Sequence, residues 1–264
     1  MLGVDVFDTT FFNSFCYWVL GFTGLMLAIL FFFNAPYGRQ NLQDTHPLWG
    51  PNIPLKLSWF ILEAPVFFSF AFFFWQGNNA LLPVPLILFL LFELHYFHRT
   101  FIYPLSLKPK PGSGFRLGVL AFGIPLNAAN GYINGYYISQ YAIHLNTLTW
   151  LLDPRFIIGC SLFFFGFWLT KNSDKLLANL RKPGETGYKI PYGGAFKWVS
   201  SPNYLGEIIQ WAGFAIAAWS FPGFIFFCLT VANLLPRALS NQKWYHEKFS
   251  RYPKKRKALI PFVI

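Results

Sequence analysis

Seven long apolar stretches are the feature that most restricts how this chain folds. They lie at about 11–33, 57–75, 80–104, 115–143, 151–170, 204–219 and 222–239. A bilayer core of about 30 Å requires roughly 20 apolar residues in a helix. Only 12% of the residues are charged, whereas a soluble domain averages about 25%. We therefore predict an all-α integral membrane protein with seven transmembrane helices, organised as a single polytopic domain over residues 1–264.

The fourth stretch is too polar to face lipid on all sides. It contains four tyrosines together with Asn127, Asn130, Asn134 and Gln140. Polar side chains at membrane depth face protein or a water-filled cavity, so we expect this helix to face the interior. The last two stretches are short, and Phe221-Pro222-Gly223 between them predicts a tight helical hairpin.

The placement of lysine and arginine predicts the orientation. The chain has 21 Lys and Arg against 10 Asp and Glu. Nineteen of these bases lie in the loops at 34–56, 105–116 and 171–203 or in the tail from 237. By the positive-inside rule those segments face the cytoplasm. The loop 171–203, the tail 240–264 and the C-terminus are thus predicted to be cytoplasmic, in a bacterial inner membrane or in the endoplasmic reticulum of a eukaryote.

Ionisable side chains inside the predicted spans indicate a site. Glu63 lies about 9 Å and Tyr96 about 12 Å from the cytoplasmic ends of their helices, at about 1.5 Å per residue. The two could meet in a cavity, although a hydrogen bond that only joins two helices is the simpler alternative. Tyr96, Arg99 and Tyr103 share one helical face.

Metal chemistry is not expected. Cys16, Cys160 and Cys228 are scattered through apolar stretches, and no His-x-x-x-His pair occurs. His95 and His98 fit an interfacial position near the membrane boundary.

The segment 171–203 is the most polar and glycine-rich part of the chain. Aromatic residues there could stack on a base, and backbone amides with basic side chains could bind phosphates. The candidates for stacking are Tyr188, Trp198 and Tyr204, and those for phosphate are Gly184, Gly187, Gly193, Gly194, Arg181 and Lys189. No G-x-G-x-x-G fingerprint is present. A solvated loop whose charge only sets topology is an equal alternative.

Six ordered motifs resemble the steroid 5α-reductase family over nearly the whole chain. They are WFILE at 59–63 followed by Pro65, HYFHRTF at 95–101, NGYINGYY at 130–137, LRKPGETGYKIPYGGAF at 180–196, SPNYLGEIIQW at 201–211 and YPKKRKALIPF at 252–262. The resemblance implies a seven-helix membrane oxidoreductase with cytoplasmic cofactor-binding loops. Such an enzyme uses NADPH to reduce the 4,5 double bond of a 3-oxo-4-ene steroid, with hydride going to C5.

The resemblance also implies roles for individual residues. Glu63 and Tyr96 match the catalytic pair at the 3-keto oxygen, and Trp59 joins them in contacting substrate. The positions that match cofactor contacts are Tyr37, Arg99, Tyr103, Asn172, Asp174, Arg181, Tyr188, Asn203, Glu207 and Tyr245. Glu93, Gln210 and Asn241 depart from the usual family residues.

Reduction of a conjugated enone produces negative charge on the carbonyl oxygen. A desolvated carboxyl group tends to stay neutral, so Glu63 is expected to donate a hydrogen bond together with Tyr96, as a neutral acid and a phenol do in the oxyanion hole of ketosteroid isomerase. The steroid is expected to enter laterally from the membrane lipid. Neither a nucleic acid nor an obligate protein partner is expected.

Three alternatives remain at this point. One is an enoyl or sterol double-bond reductase with another acceptor. Another is a membrane methyltransferase of the isoprenylcysteine carboxyl type, which uses S-adenosylmethionine. A transporter or receptor is the third, although it leaves the glycine-rich basic segment without a role.

Overall fold

The computed structural model describes residues 7–32, 47–109, 112–180, 185 and 187–264. The described helices are α1 (Thr9–Phe32), α2 (Leu55–Phe74), α3 (Pro83–Phe97), α4 (Tyr103–Ser106), α5 (Leu117–Tyr136), α6 (Pro154–Asn179), α7 (Pro202–Ala218) and α8 (Phe221–Lys248). Two short strands, β1 (Asn52–Pro54) and β2 (Gly114–Arg116), pair antiparallel, with Ile53 opposite Phe115. The sheet joins the segments that precede α2 and α5.

Four of these helices are long and apolar enough to cross a membrane, namely α1, α2, α6 and α8. The α3 and α7 helices are only 15 and 17 residues long, and α5 carries the asparagines. The prediction of a mainly helical membrane protein is confirmed. The number of seven crossings stays a prediction.

Two helices extend beyond the predicted spans. The α6 helix continues to Asn179, so the prediction that 171–203 is a loop is wrong for its first nine residues. The α8 helix ends at Lys248 and is 28 residues long, so it is not short and it includes the start of the predicted tail. Hydropathy marks where lipid contact ends. The helices themselves continue through 171–179 and 240–248, because these two stretches contain no glycine or proline, the residues that usually end a helix.

Pairs of glycines bring α6 and α7 into backbone contact. A Cβ atom at Gly206 would lie 2.7 Å from the carbonyl oxygen of Gly166, and one at Gly159 would lie 2.6 Å from that of Gly213. Small residues at such spacings let helix backbones approach closely in membranes. This contact places the start of α7 beside the C-terminal part of α6.

The third predicted span is one continuous helical path with a π-helical turn at His98–Ile102 between α3 and α4. Pro104 follows the turn. Because proline has no N–H, it cannot donate to the carbonyl four residues earlier, which loosens the helix at this point. Single π-turns of this kind are common at functional sites.

The α5 helix turns its polar side chains inward, as predicted. Asn130 and Asn134 are buried, and Asn127 donates to the backbone oxygen of Leu62 in α2 at 2.6 Å. On another side, Tyr132 packs edge-on against Phe12 of α1. The hairpin predicted between the last two spans is present, but its turn is formed by Trp219 and Ser220. Phe221-Pro222-Gly223, predicted as the turn, instead forms the start of α8.

Candidate functional site

One cavity of about 1400 Å³ lies inside the helical bundle. The α1 and α5 helices contribute mainly apolar side chains to it, among them Leu25, Met26, Ile29, Phe122 and Leu126. Polar and charged side chains come from the end of α3, from α6, from the start of α7 and from the end of α8. The cavity is therefore lined by apolar groups on one set of helices and by polar groups on another.

Arg99, in the π-helical turn, is the centre of the polar side. Its Nε lies 3.3 Å from Oε1 of Glu63, and its Nη2 lies 3.3 Å from Oε1 of Glu207. The guanidinium also lies over two aromatic rings, 4.4 Å from the ring centre of Trp59 and 4.8 Å from that of Tyr103. All five residues line the cavity. One buried cation thus joins α2, α4 and α7.

Tyr96 lies one helical turn before Arg99 and also lines the cavity. Its ring is buried, with its centre 5.7 Å from Trp211 in a stacked arrangement and 4.8 Å from Phe92. Within the described part of the chain, its hydroxyl makes no hydrogen bond. Packing therefore fixes the ring and leaves the phenol available to a ligand.

A second polar group joins α6 to α7. Asn203 Nδ2 donates to Asp174 Oδ1 at 3.1 Å, and Thr170 Oγ1 donates to the backbone oxygen of Asn203 at 3.2 Å. Asp174 Oδ2 is buried and has no hydrogen-bond partner among the described residues. A buried acceptor without a partner is unfavourable, and a hydroxyl or amide from a ligand would satisfy it.

Aromatic and basic residues line the rest of the polar side. Tyr188 packs edge-on against Trp244, with ring centres 4.9 Å apart, and Tyr245 stacks on Tyr252 at 5.0 Å. Tyr188, Trp244 and Tyr245 line the cavity, as do the bases Lys108, Lys171, Lys175 and Arg237. This set offers flat rings for stacking and positive charge for anions.

The structure does not bring every predicted residue to the cavity. Asn172 is exposed on α6 and Trp198 is half exposed, and neither lines the cavity. The same holds for the phosphate candidates Gly187, Lys189, Gly193 and Gly194. Lys189 forms an ion pair with Glu185. Tyr37, Arg181 and Gly184 lie outside the described residues. Tyr204 does line the cavity, as expected.

Two contacts at the site were not predicted. His95 is buried rather than interfacial, and its Nδ1 lies 2.9 Å from Gln210 Nε2. His98 bonds to Lys171, the first residue of the segment predicted as a loop. Both histidines line the cavity. The polar residues of HYFHRTF were the sequence signal that this segment belongs to the site. The hydrogen-bond partners of His95 and His98 depend on how α3 and the turn after it pack against α6 and α7.

Comparison with known proteins identifies the family. A family model described as 3-oxo-5-alpha-steroid 4-dehydrogenase matches residues 115–264. The chain is 41% identical to steroid 5-alpha-reductase DET2 of Arabidopsis thaliana over 265 residues, covering 98% of this chain and 99% of the relative. It is 41% identical to 3-oxo-5-alpha-steroid 4-dehydrogenase 1 of Rattus norvegicus over 239 residues, with 87% and 86% covered. The human protein of that name is 39% identical over 235 residues, again with 87% and 86% covered. This chain therefore belongs to the 3-oxo-5-alpha-steroid 4-dehydrogenase family.

Proposed function

We propose that this protein is an NADPH-dependent steroid 5α-reductase that converts 3-oxo-4-ene steroids to 5α-reduced 3-oxosteroids. The observation that carries the proposal is the group formed by Arg99, Glu63 and Glu207, which shares a cavity with an apolar side with the Tyr96 hydroxyl, itself without a hydrogen bond to any described residue. The names of relatives about 40% identical over most of the chain support the same reaction.

Reduction of the enone adds a hydride to C5 and a proton to the neighbouring carbon, and negative charge develops on the 3-keto oxygen in between. Preorganised hydrogen-bond donors at that oxygen lower the barrier. We assign this role to the phenol of Tyr96 and to a protonated Glu63. Both side chains line the same cavity, and packing holds the ring of Tyr96 in place.

Arg99 makes a protonated Glu63 possible without leaving a cation unpaired. Glu207 contacts the other side of the same guanidinium at 3.3 Å, so Arg99 keeps one carboxylate partner when Glu63 is neutral. A steroid that fills the apolar side excludes water from Glu63, which disfavours the charged form of a buried carboxyl group. Substrate binding and protonation of Glu63 are thus expected to support each other.

The polar side of the cavity suits NADPH. Asp174 Oδ2, which has no partner among the described residues, and the amide of Asn203 would hold hydroxyl groups of the cofactor. Lys171 and Lys175 would neutralise its phosphates. Tyr188 and Tyr245 would contact its rings, and Tyr103 and Glu207 would lie beside it. Bound NADPH supplies the hydride that C5 receives. Tyr37 and Arg181 keep their sequence-based assignment as cofactor contacts.

The volume supports two ligands at once. Drug-sized ligands occupy pockets of about 300–1,000 Å³, and this cavity measures about 1400 Å³. A flat apolar steroid fits the side lined by α1 and α5, and a charged dinucleotide fits the side lined by α6 and α8. With the basic segments in the cytoplasm, the cofactor would enter from the cytoplasm and the steroid from the bilayer.

The test is NADPH oxidation by purified protein with a 3-oxo-4-ene steroid, with the product identified by mass and stereochemistry. Glu63→Gln and Tyr96→Phe should each lower kcat by about 10²- to 10³-fold, the usual effect of removing one oxyanion donor. Tyr17→Phe is the matched control, because Tyr17 is exposed on α1 and outside the cavity. Activity that survives in both cavity variants would contradict the assigned roles.

The same preparation separates the alternatives. Binding of NADPH without turnover of the steroid would indicate a reductase with another enone or enoyl acceptor. Binding of S-adenosylmethionine instead of NADPH would refute the reductase proposal and favour a methyltransferase.

A further inference from the structure

The last five residues form a closed turn that projects apolar side chains outward. The backbone N–H groups of Leu259 and Ile260 both donate to the backbone oxygen of Ile264 at 2.8 Å. Phe262 has a φ of 65°, a backbone conformation that residues other than glycine rarely adopt. Phe262 as a whole is 83% exposed, and Val263 is 69% exposed. The turn therefore presents a phenylalanine to its surroundings in an unfavourable backbone conformation.

This turn lies at the cytoplasmic ends of two predicted spans. Ala258 and Leu259, directly before it, form a buried cluster with Ala238 of α8. Tyr204 and Leu205 at the start of α7 pack against the same cluster. These parts of α7 and α8 are where the predicted spans 204–219 and 222–239 meet the cytoplasm. The C-terminal turn is consequently placed at the membrane boundary.

The exposed charged side chains of the segment 251–264 are all positive. Arg251, Lys254 and Lys255 are exposed, and the segment from 251 to 264 contains no acidic residue. Arg256 differs, because it is buried and donates to the backbone oxygen of Pro191 at 3.1 Å. Exposed bases next to exposed apolar side chains are typical of segments that bind anionic lipid surfaces.

We infer that residues 260–264 form an interfacial anchor on the cytoplasmic leaflet. Phe262 and Val263 insert between the lipids, and Lys254 and Lys255 contact anionic headgroups. A lipid environment accounts for the exposure of Phe262, which water would disfavour. This inference concerns membrane contact and stands independently of the proposed reaction.

The anchor is joined to a wall of the cavity. Ser200 N donates to the backbone oxygen of Lys257 at 2.7 Å, and Ser201 N donates to that of Ala258 at 3.1 Å. Lys257 N in turn donates to the backbone oxygen of Trp198 at 2.9 Å. Ser200 and Ser201 line the cavity. Lipid contact at the turn therefore helps to hold the segment 198–201 in place.

Spin labels test the insertion directly. Phe262→Cys is labelled in a protein whose three native cysteines are replaced by alanine, and the protein is placed in nanodiscs of phosphatidylcholine and phosphatidylglycerol. The matched control is Lys243→Cys, at an exposed position in the last part of α8 whose side chain is 81% exposed. The label at 262 should collide more with oxygen, which dissolves in lipid, than with a water-soluble nickel chelate, and the label at 243 should show the reverse. Equal access of the nickel chelate to both labels would overturn the anchor.

Hydrogen exchange tests the link to the cavity wall. In nanodiscs, Phe262→Ser combined with Val263→Ser should speed amide exchange at Ser200 and Ser201, while Lys243→Ser should not. Unchanged exchange in a segment of α6 shows that the double variant is folded. Exchange at Ser200 and Ser201 that stays as slow as in the parent would refute the coupling, whatever the protein reduces.

Discussion

The Nε atom of Arg99 lies 3.3 Å from Oε1 of Glu63, so a cation in the π-helical turn after α3 holds the carboxyl group that α2 brings to the cavity. Glu207 of α7 contacts the same guanidinium. Since both acids depend on one base, a change at Arg99 affects the geometry of the whole polar side. Glu63 is therefore best understood as a member of this cluster.

Replacing Arg99 should affect activity and stability to different degrees, depending on the substitute. Arg99→Lys keeps the charge, but an ammonium lacks the planar fork that reaches two carboxylates, so we expect a large loss of kcat/KM in a folded protein. Arg99→Leu leaves two buried acids unpaired, which should destabilise the fold by about 3–5 kcal/mol. Steady-state kinetics and thermal unfolding in detergent measure the two effects. A fully active Arg99→Lys enzyme would show that simultaneous contact of one side chain with Glu63 and Glu207 is not needed for catalysis.

Removing the buried carboxyl group of Glu93 should stabilise the protein. Glu93 is buried in α3, and both carboxyl oxygens lack a hydrogen-bond partner within the described residues. An unsatisfied buried polar group costs about 1–3 kcal/mol, so Glu93→Leu should raise the unfolding temperature. Glu93→Gln is the control, because it removes the ionisable group but keeps polar atoms. A lower unfolding temperature for Glu93→Leu would reveal a stabilising role for the carboxyl group.

Enlarging Gly206 should separate the two helices that carry Asp174 and Asn203. A Cβ at Gly206 would lie 2.7 Å from backbone atoms of both Gly166 and Thr170, so Gly206→Ala forces the backbones apart. Overpacking of this kind costs about 1–3 kcal/mol, and weaker NADPH binding should accompany it. Gly21→Ala is the matched control, because among the described residues no atom outside its own stretch of helix lies within 4 Å of the added Cβ. Unchanged NADPH affinity in Gly206→Ala would contradict the assignment of this helix pair to the cofactor.

Gln210 should act by positioning His95 rather than by touching substrate. Its amide bonds to the His95 ring, which packs edge-on against Trp211 at 4.7 Å and Tyr96 at 5.0 Å. Gln210→Leu removes this bond and should lower kcat with little change in KM, since the apolar binding surface is kept. Gln210→Glu can still accept a hydrogen bond from His95 and should recover part of the rate. If KM rises while kcat is constant, Gln210 contributes to binding instead.

The sequence predicted the membrane class, the inward polar face of α5 and a set of site candidates, most of which, among the described residues, line the cavity. These properties depend on local composition, because hydropathy and helical periodicity follow from neighbouring residues alone. Motif resemblance added the residues whose roles cannot be derived from periodicity. Asn172 shows the limit of assigning residues by resemblance, since it was assigned to the cofactor site but lies on the exposed side of α6.

Only the tertiary structure decided which polar groups meet. Arg99 joins Glu63 and Glu207, which lie 36 residues before it and 108 residues after it in the chain, and such pairs depend on how α2, α3 and α7 pack. The ends of α6 and α8 were also undetermined, because hydropathy locates the lipid boundary and a helix can continue into water. The return of the C-terminal segment to the start of α7 depends on backbone hydrogen bonds from Ser200 and Ser201 to Lys257 and Ala258. Backbone hydrogen bonds between distant segments leave no pattern in side-chain composition, so only the folded chain reveals them.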